Sequence, residues 1–281
     1  MYQIWIAFTV SFLVSVSGYA QQKSCCSLPA ATSRFASFGS DQKFLSAHES
    51  PIPLDYNARG RMITFSTPDG KTGNAYLVSA ISNTSNSYLF VFHEWWGLND
   101  YVKRMSDLYS DSLKNVNIIA LDLYDGKVAT DAEEAGKLMN GLNENRVKAI
   151  IDGAILYAGK DSKIATIGWC MGGGWSLQGA LAAGRHEAGC IMFYGMPDND
   201  VNKLKTLNSD VLFIWADKDQ WINEKVKDEF VKNMQAAGKK LTVKEYNEDH
   251  AFANPSNPHY NQANAASAQH ISINYLRSCF Q

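Results

Sequence analysis

The sequence has no strong charge of either sign. It holds 26 Lys and Arg against 28 Asp and Glu, for a net charge of −2, and the basic residues are scattered rather than clustered. A nucleic-acid ligand or an anionic membrane surface would require a basic patch, so we expect neither as a partner. The chain also lacks internal repeats and low-complexity tracts. Its 281 residues, 46% of them apolar, suffice for one large domain.

Cysteine is scarce: the five residues are Cys25, Cys26, Cys170, Cys190 and Cys279. The number is odd and only the first two are adjacent, which is not the pattern of a disulfide framework. No C-x-x-C pair has zinc-site spacing, so the sequence predicts no structural metal, and it predicts no cofactor. At least one thiol must stay free or pair between chains.

The first 20 residues contain no Lys, Arg, Asp or Glu. An apolar stretch from about residue 4 to 16 is followed by Gly18, Tyr19 and Ala20, the small-x-small pattern of a signal-peptidase site. This stretch is short for a membrane span, which takes about 20 residues; an uncleaved anchor is the alternative. We predict a signal peptide over residues 1–20 and an exported protein with no membrane span after processing.

Residues 21–57 show no clear periodicity and are predicted to form an N-terminal arm that wraps the domain or stays partly loose. The domain itself is predicted over residues 58–281. Its segments 61–65 and 75–78 flank the turn PDGK and predict a β-hairpin. Further strands are predicted at 88–92, 117–121, 163–168, 189–193, 211–215 and 242–246. Helices are predicted at 131–142, 146–158, 172–183, 223–237 and 261–276. This alternation indicates an α/β fold with a mostly parallel central sheet and helices on both faces.

A nucleophile elbow is the strongest local motif. Residues 168–172, GWCMG, follow a predicted strand and open a predicted helix, in the pattern G-x-nucleophile-x-G. The turn is sharp and strained, and Gly168 and Gly172 leave the space that it needs. Cys170 would lie at a helix N-terminus, where the helix dipole favours a thiolate. The alternative is a buried structural cysteine in a tight turn.

A thiol nucleophile needs a base, and the base needs an acid that orients it. In α/β-hydrolase folds the chain order is nucleophile, acid, histidine. His250 lies on the loop after the last predicted strand, and Asp217 and Asp219 follow the strand before it. Position alone does not decide between the two aspartates. His93, which closes a strand, is the other candidate base, while His48 is assigned to the arm.

The loop after the strand 88–92 carries HEWWGLN at residues 93–99. This loop supplies one backbone N–H to the oxyanion hole, and the residue after the nucleophile supplies the other, so Trp95 and Met171 are the predicted donors. Glu94 ends a buried strand, where a carboxylate is costly unless it is paired. We place it near the thiol; a salt-bridged structural glutamate is the alternative.

All six tryptophans after residue 20 lie in or beside these motifs. They predict an apolar, aromatic-lined substrate pocket that includes Trp96, Trp169 and Trp221. Ordinary core packing is the alternative for some of the six.

Taken in order, these motifs resemble those of the dienelactone hydrolase family. The resemblance covers roughly residues 60–279 and rests on HEWWGLN at 93–99, LDLY at 121–124, GWCMGG at 168–173, WADKD at 215–219 and DHAFA at 249–253. It implies a compact α/β-hydrolase without a large lid and a Cys-His-Asp triad. It further implies Asp219 as the acid, and Glu94 as a glutamate that contacts the resting thiol and helps to generate the thiolate when substrate binds.

One departure from this family concerns the substrate. The founding enzymes bind a substrate carboxylate with two arginines. Asn254 stands at the position of one, and the stretch 127–138, which matches the other, holds no arginine. Lys127 is the candidate replacement and joins the predicted pocket. The resemblance therefore implies the fold and the thiol chemistry, but not dienelactone as the substrate.

The sequence thus predicts a hydrolase that cleaves small-molecule carboxylic esters or lactones through a thioester on Cys170. It leaves the oligomeric state open, with a monomer favoured. The alternatives are acyl transfer without net hydrolysis, a redox-active Cys170, and a non-catalytic binding protein on the same scaffold. The complete triad favours an enzyme over a binding protein. Cys25 and Cys26 receive no role.

Overall fold

A computed structural model describes residues 1–2 and 30–281 of the chain. Most of the predicted signal peptide and the first part of the arm, including Cys25 and Cys26, lie outside the described residues. Within the described ranges, no helix is long and apolar enough to cross a bilayer.

Eight strands of the described residues form one sheet. In chain order they are β1 (Arg61–Ser66), β2 (Thr72–Val78), β3 (Ser87–Phe92), β4 (Asn117–Leu121), β5 (Lys163–Trp169), β6 (Glu187–Phe193), β7 (Val211–Ala216) and β8 (Leu241–Tyr246). Their order across the sheet is β1-β2-β4-β3-β5-β6-β7-β8. Strand β2 pairs antiparallel with β1 and β4, and every other pair is parallel. The predicted mostly parallel sheet is confirmed.

Helices connect the strands and cover both faces of the sheet. The α-helices of the described chain are α1 (Ala31–Ala36), α2 (Gln42–Ser46), α3 (Asp100–Leu113), α4 (Ala132–Asn140), α5 (Glu144–Ala158), α6 (Met171–Ala183), α7 (Val201–Leu204), α8 (Glu224–Ala237) and α9 (Gln262–Cys279). The central strands β3, β5, β6 and β7 are almost completely buried, while the edge strand β1 is largely exposed and the edge strand β8 is mostly half-buried. Helices on both faces explain this difference, because they leave only the edges of a parallel sheet open to water.

Residues 31–46 of the N-terminal arm are largely helical, although the sequence of the arm shows no clear periodicity, and residues 49–57 follow without regular secondary structure. Helices α1 and α2 flank a 3₁₀ turn over Ser37–Ser40. The turn approaches α4 closely because both contact residues are glycines: a Cβ on Gly39 would lie 2.7 Å from the Gly136 carbonyl oxygen, and one on Gly136 would lie 2.5 Å from the Gly39 oxygen. Arg34 ties the arm to the main domain by donating to the Pro197 carbonyl at 3.1 Å.

Candidate active site

The predicted site residues meet at the carboxyl edge of the sheet, where the parallel strands end. Glu94 and Trp95 follow β3, and Cys170 follows β5. Asp219 lies on the loop after β7, and His250 on the loop after β8. Loops that follow parallel strands share one edge, so residues distant in sequence become neighbours.

Cys170 occupies the strained turn between β5 and α6. Its φ of 57° and ψ of −121° lie in a region that costs a non-glycine residue on the order of 1–3 kcal/mol. Two glycines make the turn possible: a Cβ on Gly168 would lie 2.0 Å from the Gly172 oxygen, and one on Gly172 would lie 2.3 Å from the Phe92 oxygen. The Cys170 N–H donates to the Phe193 carbonyl at 3.0 Å, which holds the turn against β6.

Asp219 and His250 form a buried pair. His250 Nδ1 donates to Asp219 Oδ2 at 2.6 Å. The other carboxylate oxygen accepts from the N–H groups of Trp221 at 2.8 Å and Ile222 at 2.9 Å, which fixes the orientation of the carboxylate. Asp217 is exposed, so of the two aspartates that the sequence left open, Asp219 is the one that contacts the histidine. With Nδ1 protonated, His250 Nε2 is an acceptor, and it has no hydrogen-bond partner among the described residues.

The Cys170 thiol is buried and protonated at rest. Burial, followed by the charge of Glu94, raises the pKa of Cys170 well above its usual range. The backbone N–H groups of Met171 and Trp95 both act on the sulfur and lower its pKa, but by less. The N–H groups at the helix N-terminus favour the thiolate, as the sequence predicts, but in the resting site desolvation has the larger effect on the pKa. Met171 and Trp95 are the two predicted oxyanion donors, and both face the nucleophile.

The carboxyl group of Glu94 has a raised pKa. Burial raises its pKa to about 7, against the lowering effects of His250, Asn254 and Tyr194. Asn254 Nδ2 donates to its Oε2 at 2.5 Å, and the Tyr194 hydroxyl donates to its Oε1 at 3.5 Å. No lysine or arginine between residues 30 and 281 forms a salt bridge with Glu94. The structural salt bridge considered as the alternative is thus absent from the described chain.

His93 lies at the same edge but is a structural residue. Its Nε2 accepts from the Leu123 N–H at 3.1 Å, so Nδ1 carries the proton and donates to the Glu94 carbonyl at 2.6 Å. Burial lowers the pKa of His93 to about 4. Both ring nitrogens are occupied by backbone groups, which leaves His250 as the histidine with a free acceptor nitrogen beside the Asp219 carboxylate.

A small cleft opens beside Glu94. Trp96 and Trp169 line it, as the sequence predicts for the pocket. The other lining residues come from the loop after β3, from α3 and from the loop after β8: Glu94, Gly97, Asn99, Tyr101, Val102, Met105, Ala253, Asn254, Pro255 and Ser256. Lys127 is exposed and does not line the cleft, and no other lysine or arginine of residues 30–281 lines it. Trp221 does not line it either, and instead packs against His250, with 5.7 Å between ring centroids.

Three residues of the arm lie against His250, and the sequence analysis missed all three. The ring centroids of Phe35, Phe44 and His48 are 6.2, 6.0 and 5.5 Å from that of His250. All three side chains are buried. The spacing of Phe44 and His48 places both on one face of a helix. Nothing in the sequence indicates that this face packs against His250.

The fold and the edge at which these residues meet are those of an α/β-hydrolase. The sequence profile of the dienelactone hydrolase family matches residues 74–280, so the chain belongs to that family. It is 25% identical over 231 residues to a putative carboxymethylenebutenolidase of Aquifex aeolicus (strain VF5). The alignment covers 78% of this chain and 98% of that protein. It is 27% identical over 230 residues to a probable 2-oxo-3-(5-oxofuran-2-ylidene)propanoate lactonase of Bradyrhizobium sp. This alignment covers 74% of this chain and 90% of that protein.

Solved structures agree on the fold. The crystal structure of a putative dienelactone hydrolase from Klebsiella pneumoniae superposes with a TM-score of 0.65 at 19% identity, and covers 76% of this chain and 98% of that one. Family membership makes the chain a hydrolase of carboxylic esters, as the sequence predicts.

Proposed function

We propose that this protein hydrolyses carboxylic esters or lactones through a covalent thioester on Cys170, with His250 as base and Asp219 as the residue that orients it. The observation that carries this proposal is that three features meet at the sheet edge that holds Cys170. These are the strained elbow at Cys170, the two backbone N–H groups of Trp95 and Met171 that face it, and the buried His250–Asp219 pair at the same sheet edge. This combination has the parts that acyl transfer to a thiol needs.

Acylation begins when His250 Nε2 takes the proton of the Cys170 thiol. The thiolate attacks the carbonyl carbon, and the oxyanion accepts from the Trp95 and Met171 N–H groups, each worth about 3 kcal/mol in comparable sites. The C–O bond to the leaving alcohol then breaks, and that oxygen takes a proton from His250. A lactone gives the same acyl-enzyme with its alcohol still tethered.

Glu94 supports the formation of thiolate. With a pKa of about 7 it can hold or release a proton near neutral pH, next to a thiol whose pKa is raised. A bound carbonyl that attracts the sulfur towards the oxyanion donors would separate it from the Glu94 charge. The thiol thus stays inert until substrate binds, which opposes the alternative of a redox-active Cys170, since reactive redox thiols have lowered pKa values.

The cleft favours an uncharged substrate with an apolar body. Apart from Glu94, Asn99, Asn254 and Ser256, its lining is apolar or aromatic, and among the described residues no lysine or arginine lines it, so a substrate carboxylate would find no cation in the cleft itself. A second groove shares Met105, Trp169, Ala253 and Pro255 with the cleft and continues towards α9, where Arg104 is the one cation among its described lining residues. We propose neutral aryl or alkyl esters and lactones as the substrate class.

The test is hydrolysis of p-nitrophenyl acetate by the purified protein, with Cys170→Ala as the inactive variant and Cys279→Ala as the matched control. We expect activity that is lost in Cys170→Ala and after iodoacetamide, and kept in Cys279→Ala. Intact-mass analysis after a rapid quench should find one acetyl group on Cys170. Equal activity of Cys170→Ala and the parent would overturn the proposal. A panel of neutral and carboxylated lactones then tests the substrate class.

We also propose export with cleavage after Ala20, on the evidence of the sequence pattern alone. Expression of the full chain in a bacterial secretion host, followed by N-terminal sequencing of the exported product, tests it. A product that begins at Gln21 supports the proposal, and retention of the intact chain in the membrane fraction contradicts it.

A further inference from the structure

His48 brings an unpartnered nitrogen into the active site from outside the segment that matches the family. The ring lies in the arm, before residue 74, and is 3% exposed. Its Nδ1 bonds to the Phe44 carbonyl at 2.6 Å, and because a carbonyl only accepts, Nδ1 must carry the proton. Nε2 is then an acceptor, and it is buried with no hydrogen-bond partner among the described residues. A buried acceptor of this kind costs free energy unless something donates to it.

Two more unpartnered ring nitrogens lie around His48. His250 Nε2 is an acceptor because Nδ1 donates to Asp219, and Trp95 Nε1 carries a hydrogen and is a donor. The His48 ring centroid is 5.5 Å from that of His250 and 5.0 Å from that of Trp95. Two acceptors and one donor match the hydrogen-bonding capacity of a single water, which donates twice and accepts.

We propose that His48 is a further catalytic residue, which holds the hydrolytic water together with His250 and Trp95 during deacylation of Cys170. The inference rests on the proposed function. The water gives one proton to His250 Nε2 while its other hydrogen bonds to His48 Nε2, and its oxygen forms a bond to the thioester carbonyl carbon. The C–S bond then breaks, the acid leaves, and the sulfur recovers the proton from His250.

This role predicts that His48 acts on one half-reaction only. Acylation uses the sulfur and the leaving group and needs no water, whereas deacylation needs a water that is oriented. The substrate cleft opens on the Glu94 side of the nucleophile, and the arm closes the His250 side, where Phe35 and Phe44 exclude bulk solvent. An ordered water on the arm side would therefore attack from a position that the substrate does not fill.

The experiment compares His48→Phe, His48→Gln and the parent with p-nitrophenyl acetate. His48→Phe keeps an aromatic ring in the arm but removes the acceptor, while glutamine can place an oxygen near the position of Nε2. Rapid-mixing release of p-nitrophenolate measures acylation, and quenched-flow mass spectrometry of acetyl-Cys170 measures deacylation. The exposed His270→Phe is the matched control and should behave as the parent.

We expect His48→Phe to deacylate about tenfold more slowly, the size of one lost hydrogen bond to a reacting group, with acylation changed less than twofold. Acetyl-Cys170 should accumulate, and His48→Gln should recover part of the rate. Gly136→Ala is a second variant: it pushes the arm away from α4 without altering His48, and should slow deacylation in the same way.

Three outcomes contradict the inference, and they separate it from the proposed function. A parent that turns over, with unchanged deacylation in His48→Phe, overturns the role of His48 alone. Equal losses of both half-reactions assign His48 to packing and also overturn it. A parent that never acylates Cys170 overturns the proposed function and the inference together.

Discussion

Asn254 donates a hydrogen bond to the carboxylate of Glu94, across 160 residues of sequence. The pair lies at the wall of the cleft, between the loops after β3 and β8. An amide satisfies one oxygen of the carboxylate but supplies no positive charge. Burial therefore dominates, and the pKa of Glu94 stays raised at about 7. The pair therefore sets the charge of the cleft, and the Glu94 charge is, after burial, the second cause of the raised pKa of the Cys170 thiol.

Replacement of Asn254 by arginine should lower the pKa of Glu94. A guanidinium beside a carboxylate depresses its pKa by about 1–3 units, so Glu94 of Asn254→Arg would be ionised throughout the neutral range. ¹³C NMR titration of glutamate-labelled protein measures this, with Glu94→Gln used to assign the resonance. Asn247→Arg adds the same charge on an exposed loop position and should leave the pKa of Glu94 near 7. An unchanged titration in Asn254→Arg would contradict the pairing.

Removal of the Glu94 charge should make Cys170 more reactive in the resting protein. The charge of Glu94 raises the pKa of the thiol, and one pKa unit is a tenfold change in the thiolate fraction. We expect Glu94→Gln to increase the rate of carbamidomethylation of Cys170 by iodoacetamide at pH 8 by about tenfold, although ester hydrolysis falls. Peptide mass spectrometry over time gives the rate. The surface variant Glu229→Gln is the control, and an equal rate in Glu94→Gln would place the carboxylate outside electrostatic reach of the sulfur.

The two aspartates after β7 should differ sharply in their effect on activity. Asp219 is buried and orients His250, whereas Asp217 is exposed. An asparagine at 219 would favour the wrong histidine tautomer, at a cost on the order of 10²–10⁴-fold in kcat. Asp217→Asn should stay within about twofold of the parent, a typical range for a surface substitution. Steady-state kinetics with p-nitrophenyl acetate measures both. Similar losses in the two variants would mean that the loop, and not the carboxylate, matters.

Stability should fall as the pH drops below 6.5. Burial lowers the pKa of His48 to about 3 and that of His93 to about 4, from the usual 6.5. Below pH 6.5 the unfolded chain binds protons that the folded chain excludes. The free energy of unfolding therefore decreases towards acid, by up to about 2 kcal/mol per histidine between pH 7.5 and 5.

Urea unfolding of the parent and His48→Phe at these two pH values measures the effect. The variant should lose less stability on acidification than the parent, because the contribution of His48 is missing. His270→Phe, which alters an exposed histidine, should show the same pH dependence as the parent. Identical pH dependence in His48→Phe would mean that His48 is accessible to protons in the folded chain.

Much of the fold and part of the site could be predicted from local patterns. Short apolar runs with helical segments between them identified the parallel sheet, because strands buried on both faces must be apolar throughout. The glycines at 168 and 172 identified the elbow, because no larger residue fits the turn around Cys170. The order of Cys170, the aspartates and His250 along the chain then placed all of them at one sheet edge.

By itself, then, the sequence determined the class of the fold, the family and the candidate nucleophile, since these depend on periodicity, steric limits and motif order. Only the tertiary structure decided which aspartate reaches His250, that Lys127 stays out of the cleft, and that His48 of the arm reaches the site. The pKa of the Cys170 thiol, and with it the protonation state, also depended on the whole fold. A helix N-terminus favours a thiolate locally, but burial and Glu94 outweigh it, and the cost of desolvation is set by everything packed around the sulfur.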